Sequence, residues 1–360
     1  MSRICVYAIC KNEAQFVDRW MDSMQEADLV VVLDTGSTDE TVQKLKRRGA
    51  LVTQEQITPW RFDSARNRSL ELVPEEMDIC VCTDLDEVFQ PGWRQHVEAA
   101  WTGGVNQLRY RYIWTFRPDG SEGHVYWLDK IHARHGFCWE HPVHEILHCR
   151  GPLQKQEAIG VVLEHHPDPN KSRGQYLPLL ELAFQEHPDD DRNVHYLGRE
   201  YVYYGRWDEA IAMLKTHLLL PNATWADERC ASMRLLSQAC CGKNDPDQAE
   251  VWLLRAVAEA PYLREPWLDL AVQFYRKKDW DGLIWAVGRL LSIQEKTQSY
   301  ICEPEAWGER PYDLLSLGYY HTGQYEKALA AVDTALSMAP DDGRLQKNRQ
   351  LIQQAANPSA

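Results

Sequence analysis

Short apolar runs alternate with helical stretches in the first part of the chain. The apolar runs that predict buried β-strands lie at residues 4–9, 29–33, 50–53 and 79–83. The stretches in which apolar residues recur at helical spacing lie at residues 12–25, 39–48 and 66–72. This alternation predicts an α/β fold with a mostly parallel, Rossmann-like sheet that is covered by helices on both faces.

The pattern changes from residue 106 onwards. Further strands, separated by aromatic-rich loops, are predicted at residues 108–116, 124–132 and 160–163. Pro167 and Pro169 follow in a polar segment, which can continue neither a strand nor a helix. We therefore predict an α/β domain over residues 1–167 and a second domain over residues 168–360.

The second domain has the periodicity of helices and repeats itself four times. Each segment places a small residue in one predicted helix, where a neighbouring helix has to come close. These small residues are Gly198, Ala239, Ala271 and Gly318. The arrangement resembles the tetratricopeptide pattern, whose period is about 34 residues, and the alternative is an ordinary all-α domain. Such an array binds along its concave face, so it is expected to hold an acceptor, a partner protein or a second copy, or to support the first domain.

Composition narrows the class of protein. The 360 residues are 44% hydrophobic and 26% charged, which fits two globular domains. The net charge of −14 argues against nucleic acid and anionic membrane surfaces as partners. The N-terminal residues carry Lys11, Asn12 and Glu13, which are not typical of a signal peptide. No apolar run approaches the roughly 20 residues of a membrane span, so we predict a cytoplasmic protein.

The 10 cysteines follow no disulfide pattern, and several lie in predicted strands, where they behave as small apolar residues. The group nearest to a zinc-site pattern is Cys138, His141, His144, His148 and Cys149. A structural zinc ion there is an alternative to the interpretation of His144 given below.

Asp84 and Asp86 carry the strongest chemical signal. They follow the predicted strand at residues 79–83 and are two residues apart from each other. A turn of the backbone there can direct both carboxylates at one ion. Mg²⁺ and Mn²⁺ take oxygen ligands and share them with phosphates. In α/β folds, ligands bind beyond the carboxyl ends of the strands. The alternative is that these acids cap the following turn.

Two other predicted strands also end in polar residues. Asn12 and Glu13 follow the first strand, and Asp34 ends the second, where it can accept hydrogen bonds from a base or ribose. Gly36 permits a tight turn, and Ser37 or Thr38 can cap the next helix. A further group precedes the third predicted helix and contains Arg66, which can pair with a diphosphate or with an acid at the site.

The motifs CKNEA, VVLDTGSTDET, FDSARNRSLE and CTDLDEVF occur in this order at residues 10–14, 31–41, 62–71 and 82–89. Together they resemble the family-2 glycosyltransferases of the GT-A fold, especially bacterial members with a tetratricopeptide-like tail. The resemblance covers the first half by motif and the second half by repeat architecture. It implies an enzyme, a hexosyltransferase, with a GT-A domain followed by an all-α tetratricopeptide-like domain.

The resemblance also implies roles for single residues. The residues that would bind the UDP-sugar donor are Ile9, Asn12, Glu13, Asp34, Arg66 and Asp84. Within this set Asp34 would contact the uracil base, and Asp84 the ribose or the water shell of the metal. Asp86 would ligate Mn²⁺ or Mg²⁺ directly, and His144, in a segment that looks like the family's VHE element, would complete the metal site, with His141 as its substitute.

Inverting sugar transfer needs a general base for the acceptor hydroxyl. Glu145 is the favoured candidate because it adjoins His144, although the family's usual acidic pair downstream of Asp86 is missing. The other candidates are Glu122, Asp129 and Glu140. Aromatic rings stack on sugars, so Trp114, Trp127 and Trp139 are candidate acceptor contacts.

Three functions follow from these observations. The first is metal-dependent, inverting transfer of a hexose from a UDP-sugar to a saccharide, lipid-linked or protein acceptor. The second is a scaffold, in which the repeats bind a partner and the first domain is a degenerate transferase fold. The third is a nucleotidyltransferase or sugar-nucleotide hydrolase, which would share the donor site. Close carboxylates repel unless an ion or a proton joins them, which favours an active site over a scaffold.

Overall fold

A computed structural model of the protein describes residues 2–169 and 173–357. The chain forms two compact units, Met1–Gln185 and Glu186–Ala360. The domain boundary predicted after residue 167 lies inside the first unit, in the polar segment whose last residue, Asn170, lies outside the described residues.

In its described residues, the first unit holds ten strands and five helices. The strands are β1 Ile4–Cys10, β2 Leu29–Asp34, β3 Leu51–Gln54, β4 Ile79–Cys82, β5 Glu87–Phe89, β6 Gln107–Ile113, β7 Val125–Ala133, β8 Phe137–Glu140, β9 Ile146–Cys149 and β10 Lys155–His165. The helices are α1 Val17–Ser23, α2 Thr41–Arg47, α3 Phe62–Glu71, α4 Trp93–Ala100 and α5 Tyr176–Glu186. All seven predicted strands and three predicted helices of this part are confirmed, with shifted ends. The short strands β5, β8 and β9 and the helices α4 and α5 were not predicted.

Eight strands form one sheet in the order β3-β2-β1-β4-β7-β6-β10-β5, and β8 pairs with β9. The pairs β3–β2, β2–β1, β1–β4 and β6–β10 are parallel. The pairs β4–β7, β7–β6 and β10–β5 are antiparallel. The sheet is therefore mixed and mostly parallel. Its parallel part contains the strands that the sequence predicted from near-continuous apolar runs.

Apolar side chains cover both faces of the central strands, and β1 is buried along its whole length. On one face Val6 and Val32 pack with Trp20 of α1 and Trp93 of α4 in the largest core cluster. On the other face Tyr7 packs in a smaller cluster with residues of β2, β4 and β8. Since every residue of β1 is buried, its backbone is fixed, and the loop that follows it starts from a rigid position.

The second unit is an array of tetratricopeptide-like helix pairs. Its helices are α6 Asp191–Tyr203, α7 Trp207–Leu219, α8 Ala226–Gly242, α9 Pro246–Glu259, α10 Arg264–Lys277, α11 Trp280–Ser292, α12 Arg310–His321, α13 Tyr325–Met338 and α14 Gly343–Ala356. A short 3₁₀ helix, Pro304–Trp307, precedes α12. The four predicted repeats correspond to the four pairs from α6–α7 to α12–α13, and α14 follows them.

The small residues of the repeats lie where helices come close, as predicted. A Cβ atom on Gly198 of α6 would lie 2.7 Å from the side chain of Leu214 in α7. A Cβ atom on Gly318 of α12 would lie 2.7 Å from the side chain of Leu283 in α11. Ala239 and Ala271 are completely buried. These positions fix the spacing between successive helices, because a larger side chain would push them apart.

Within residues 2–169 and 173–357, no helix has both the length and the apolar character needed to cross a membrane.

Candidate functional site

The carboxyl ends of β1, β2 and β4 lie side by side at one edge of the sheet. In the parallel register Cys10 of β1 pairs with Asp34 of β2, and Tyr7 of β1 pairs with Cys82 of β4. The loops that leave these strands carry most of the residues for which the sequence predicts a role. Parallel pairing thus brings together three motifs that are far apart in the chain.

Asn12 connects the loops after β1 and β2. Its backbone φ is 56°, in the left-handed region that asparagine tolerates better than most residues. Its backbone N–H donates to Ser37 Oγ at 2.8 Å, and its side-chain Oδ1 accepts from the backbone N–H of Thr38 at 2.7 Å. The predicted capping of α2 by Ser37 or Thr38 is wrong, since α2 begins at Thr41 without a side-chain cap. Both hydroxyl residues bind Asn12 instead.

Asp34 is completely buried at the end of β2. Its carboxylate accepts hydrogen bonds from the backbone N–H groups of Gly36 and Ser37, at 3.3 and 3.1 Å to Oδ1. Gly36 has φ of 114°, which a residue with a Cβ rarely adopts. The carboxylate therefore shapes the turn after β2, and its predicted contact with a nucleobase stays a prediction.

Ile9 and Glu13 border the same loops. Ile9 packs against Leu33 and Ala65 in a small apolar cluster beneath the loop. The backbone N–H of Glu13 donates to Thr41 Oγ1 at 2.8 Å, and the side chain of Glu13 is buried. Both residues lie at the predicted donor site, where they support the backbone.

Arg66 of α3 brings together two acids that are distant in the sequence. Its Nη2 donates to both carboxylate oxygens of Asp84, at 2.9 and 3.2 Å, and its Nε donates to Glu145. The guanidinium lies 5.2 Å from the ring of Trp139 and its side chain is 5% exposed. Burial lowers the pKa of Arg66, but Asp84 and Glu145 raise it, so that the net pKa is well above the ordinary value. The group is a fixed cation.

Lys130 of β7 lies beneath the acidic motif. Its Nζ is 3.7 Å from Asp84 Oδ2 and 3.7 Å from Glu87 Oε1. Glu87 also accepts a hydrogen bond from Tyr112 Oη at 2.8 Å and one from the backbone N–H of Asp84 at 2.9 Å. Burial raises the pKa of Glu87, although Lys130 opposes this shift. Glu87 thus holds the turn in which Asp84 lies.

Asp86, the predicted metal ligand, faces a histidine that the sequence did not single out. The carboxylate oxygen Oδ2 of Asp86 lies 3.6 Å from His165 Nε2, and both side chains are at most 10% exposed. The backbone carbonyl of Asp86 accepts from the N–H of His166 at 2.8 Å. Burial lowers the pKa of His165, and Asp86 raises it by more, so the pKa lies above the ordinary value.

A signal for His165 exists in the sequence. The residue lies two positions after the predicted strand at residues 160–163, as other polar residues of the site lie just after predicted strands. The parallel pairing of β10 with β6, together with the antiparallel pairing of β10 with β5, brings its end to Asp86. Sequence reasoning missed it because this pairing joins segments about 80 residues apart.

His144 has a ring contact with α5. Its ring centroid is 5.6 Å from that of Tyr176 in α5, and its φ is 52°. Its neighbour Glu145 is bound to Arg66, which also holds Asp84. The contact described for Asp86 is with His165, and the roles predicted for His144 and Glu145 stay predictions.

The other predicted candidates are placed as follows. Asp129 lies 2.7 Å from Lys155 Nζ, Glu122 pairs with Arg111, and Glu140 lies 3.8 Å from His148. Trp127 lies under Arg109 at 5.9 Å. Trp139 is 3% exposed and donates to Tyr7 Oη at 2.9 Å, so its predicted contact with an acceptor is wrong: it is a core residue.

A cavity of about 580 Å³ adjoins His165. Trp114 is 40% exposed and stacks on the His165 ring at 4.1 Å, and Phe116 stacks on the His166 ring at 5.3 Å. His166 Nε2 lies 3.1 Å from a carboxylate oxygen of Glu164. The cavity therefore combines aromatic faces with an imidazole that a carboxylate orients.

The second unit has a groove of about 480 Å³. The charged residues that line it are Arg199, Arg234, Arg276, Arg310, Asp269 and Glu303. Arg234 binds both acids, at 2.6 Å to Asp269 and 2.9 Å to Glu303. The groove therefore has an excess of positive charge in a chain whose net charge is −14.

Comparisons with solved structures find tetratricopeptide repeat proteins that match about half of this chain. MamA is 18% identical with a TM-score of 0.38, over 47% of this chain and 89% of MamA. TTC0263, a thermophilic TPR protein of Thermus thermophilus, is 21% identical with a TM-score of 0.36, over 50% of this chain and 91% of TTC0263. YrrB, described as a TPR protein with an unusual peptide-binding site, is 16% identical with a TM-score of 0.37, over 49% of this chain and 83% of YrrB. No protein-family model and no curated protein matches the sequence.

Proposed function

We propose that the first unit is a metal-dependent glycosyltransferase that moves a sugar from a UDP-sugar to an acceptor with inversion. The observation that carries this proposal is the pair Asp86 and His165, 3.6 Å apart at the carboxyl edge of the sheet. A buried carboxylate next to an imidazole is a donor set that suits Mn²⁺. The edge is also where ligands of α/β folds bind.

The chain's own residues fit a nucleotide-sugar donor. Arg66 holds Asp84 in place while the Asp84 side chain stays 33% exposed, so one face of this carboxylate is open to a ribose. Asn12 and Asp34 shape the adjacent loop, at which the nucleoside would lie. A bound Mn²⁺ would supply positive charge to the departing diphosphate.

The acceptor would lie in the cavity beside His165. The exposed face of Trp114 offers an apolar surface to a sugar ring or an aromatic acceptor. Glu145 is bound to Arg66, and His166 is the alternative general base in this cavity. Glu164 orients its imidazole, which would take the proton of the acceptor hydroxyl as the oxygen bonds to the anomeric carbon and the bond to UDP breaks.

Isothermal titration of UDP, GDP and dTDP in Mn²⁺ and in EDTA tests this proposal. We expect one nucleotide to bind in Mn²⁺, with binding reduced by EDTA and by Asp86→Ala. Glu98→Ala, at a half-buried position of α4 where the acid pairs with Arg94 outside the proposed site, is the matched control and should bind as the wild type does. If the folded protein binds none of the nucleotides, the transferase proposal fails.

A second candidate function, a binding scaffold, is favoured by the arginine-lined groove of the second unit. Arg234 is committed to two acids, whereas among the described residues Arg199 and Arg276 have no ion pair within 4.0 Å. Arg199 lies over the Tyr196 ring at 4.1 Å. Guanidinium groups without an acidic partner in a groove favour an acidic peptide segment as the partner.

Fluorescence anisotropy of a labelled glutamate-rich peptide tests the scaffold function. Arg199→Ala and Arg276→Ala should each weaken binding. Arg255→Ala is the matched control, because this exposed arginine also lies over an aromatic ring, Trp252, at 4.6 Å and does not line the groove. Equal binding by all variants, or equal binding of a lysine-rich peptide, would refute it.

A further inference from the structure

Three ligating side chains from three successive helices of the second unit converge outside the groove. Asp191 lies in the first turn of α6, His217 in the last turn of α7 and Glu228 in the first turn of α8. One ligand atom from each lies within 4.8 Å of the others. His217 is completely buried and Glu228 is 4% exposed, whereas Asp191 is half-buried.

The imidazole of His217 is held in one orientation. Its Nδ1 lies 2.9 Å from Ser232 Oγ, and this hydroxyl lies 2.7 Å from Nδ1 of His195. The other nitrogen, Nε2 of His217, is buried and has no hydrogen-bond partner among the described residues. It points at Glu228, whose Oε2 is 3.6 Å away. In the neutral tautomer in which Nδ1 donates to Ser232, the lone pair of His217 Nε2 faces the carboxylate oxygen of Glu228. These two electron-rich atoms repel each other unless a cation lies between them.

Other groups near the cluster leave room for a further positive charge. Tyr300 donates to Glu228 Oε1 at 2.6 Å and so directs the remaining oxygen at His217. Among the described residues, Arg192 interacts electrostatically with Glu228 and lies over the Tyr196 ring at 4.7 Å. One guanidinium balances one carboxylate, and the cluster has two, so a second cation would complete the charge balance.

We propose that Asp191, His217 and Glu228 bind a divalent transition-metal ion of the zinc class. Zinc takes nitrogen and carboxylate ligands at about 2.0–2.2 Å, so two of its ligands lie roughly 3.5 Å apart, close to the 3.6 Å between His217 and Glu228. Mg²⁺ and Ca²⁺ prefer oxygen ligands alone. Because Asp191 is half-buried, water can reach its side of the cluster, where it would complete the coordination of the ion and where the ion could enter. The ion would join α6, α7 and α8, and the site is independent of the proposed transferase site.

Zn²⁺ titration of the EDTA-treated full chain tests this site by calorimetry. All proteins carry Asp86→Ala, which removes the other proposed metal site. We expect one Zn²⁺ to bind, and Asp191→Asn to lower its affinity at least about tenfold, since even outer-shell partners contribute that much. Asp189→Asn is the matched control, because Asp189 is exposed on the neighbouring loop; its affinity should be unchanged.

His217→Gln is the second variant and should also lose Zn²⁺ binding. Circular dichroism checks that each variant keeps its helices. If His217→Gln, a substitution at a buried position, unfolds the chain, Asp191→Asn still tests the site, because Asp191 is half-exposed. Co²⁺ in place of Zn²⁺ should give a visible spectrum without the charge-transfer band of a thiolate ligand. Equal Zn²⁺ affinity of Asp191→Asn and the parent protein, or a thiolate band, would mean that His217 and Glu228 form a simple ion pair and would overturn the proposal.

Discussion

Replacing Arg66 by methionine removes the cation that joins Asp84 and Glu145. The methionine keeps most of the apolar length of the side chain, so the main loss is charge and hydrogen bonding. Arg66 is 5% exposed and Glu145 11% exposed, so the carboxylate of Glu145 has little access to water once its partner is gone. We expect a large loss of stability of the first unit.

The size of the loss follows from the exposure of the two acids. Removing one partner of a buried ion pair costs about 3–5 kcal/mol. Asp84 is 33% exposed and also lies near Lys130, so it partly recovers its hydration, and we take the lower value of about 3 kcal/mol. For a unit of this size 1 kcal/mol shifts Tm by about 2–4 °C, so Arg66→Met should lower Tm by roughly 6–12 °C.

Differential scanning calorimetry measures this shift, and Arg68→Met is the matched control. Arg68 lies in the same helix and also has two acidic partners, Glu55 and Glu71, but these pairs are exposed. Exposed ion pairs contribute about 0–1 kcal/mol, so its Tm should hardly change. Equal Tm values for the two variants would refute the reasoning that Arg66 organises the site.

Three further predictions concern single residues. His165→Ala should weaken Mn²⁺ binding at least about tenfold, measured by calorimetry, and unchanged binding would remove His165 from the metal site. Burial lowers the pKa of His132 to about 4, so the stability that its neutral form contributes is present above the unfolded pKa of about 6.5 and is lost as the pH falls. His132→Gln should therefore flatten the fall of Tm between pH 7 and pH 4. An unchanged slope of Tm against pH would contradict this. Gly198→Ala should destabilise the second unit by about 1–3 kcal/mol in urea, because the new Cβ would lie 2.7 Å from Leu214. Gly288→Ala, with nothing within 4 Å, should instead stabilise it, and equal effects would refute the packing argument.

Local patterns predicted much of the fold. Apolar runs gave β1, β2 and β4 because strands that are covered on both faces are apolar throughout. The run at residues 50–53 also gave β3, although this edge strand is partly exposed. The repeats were predicted because small residues recur where helices have to approach. By contrast β5 has only three residues, and β8 and β9 form a separate two-stranded sheet outside the alternation of strands and helices.

The candidate site was predicted less completely, because its residues come together through tertiary pairing. Asp84 and Asp86 were found as strand-end acids, and Arg66 as a cation that could pair with an acid at the site. The neighbour of Asp86 is His165, at the end of a strand whose position in the sheet no local pattern determines. The contacts of Glu145 with Arg66 and of His144 with Tyr176 also come from tertiary packing, and the roles predicted for both residues stay predictions.

Anomalous diffraction from crystals grown with Mn²⁺ and UDP is the most direct test of the proposed transferase site. We predict a manganese peak between Asp86 and His165, with the diphosphate of UDP bound to the ion and the nucleoside beside Asn12 and Asp34. Ordered Mn²⁺ or UDP at another place, or well-diffracting crystals of folded protein with neither at this edge of the sheet, would contradict the account.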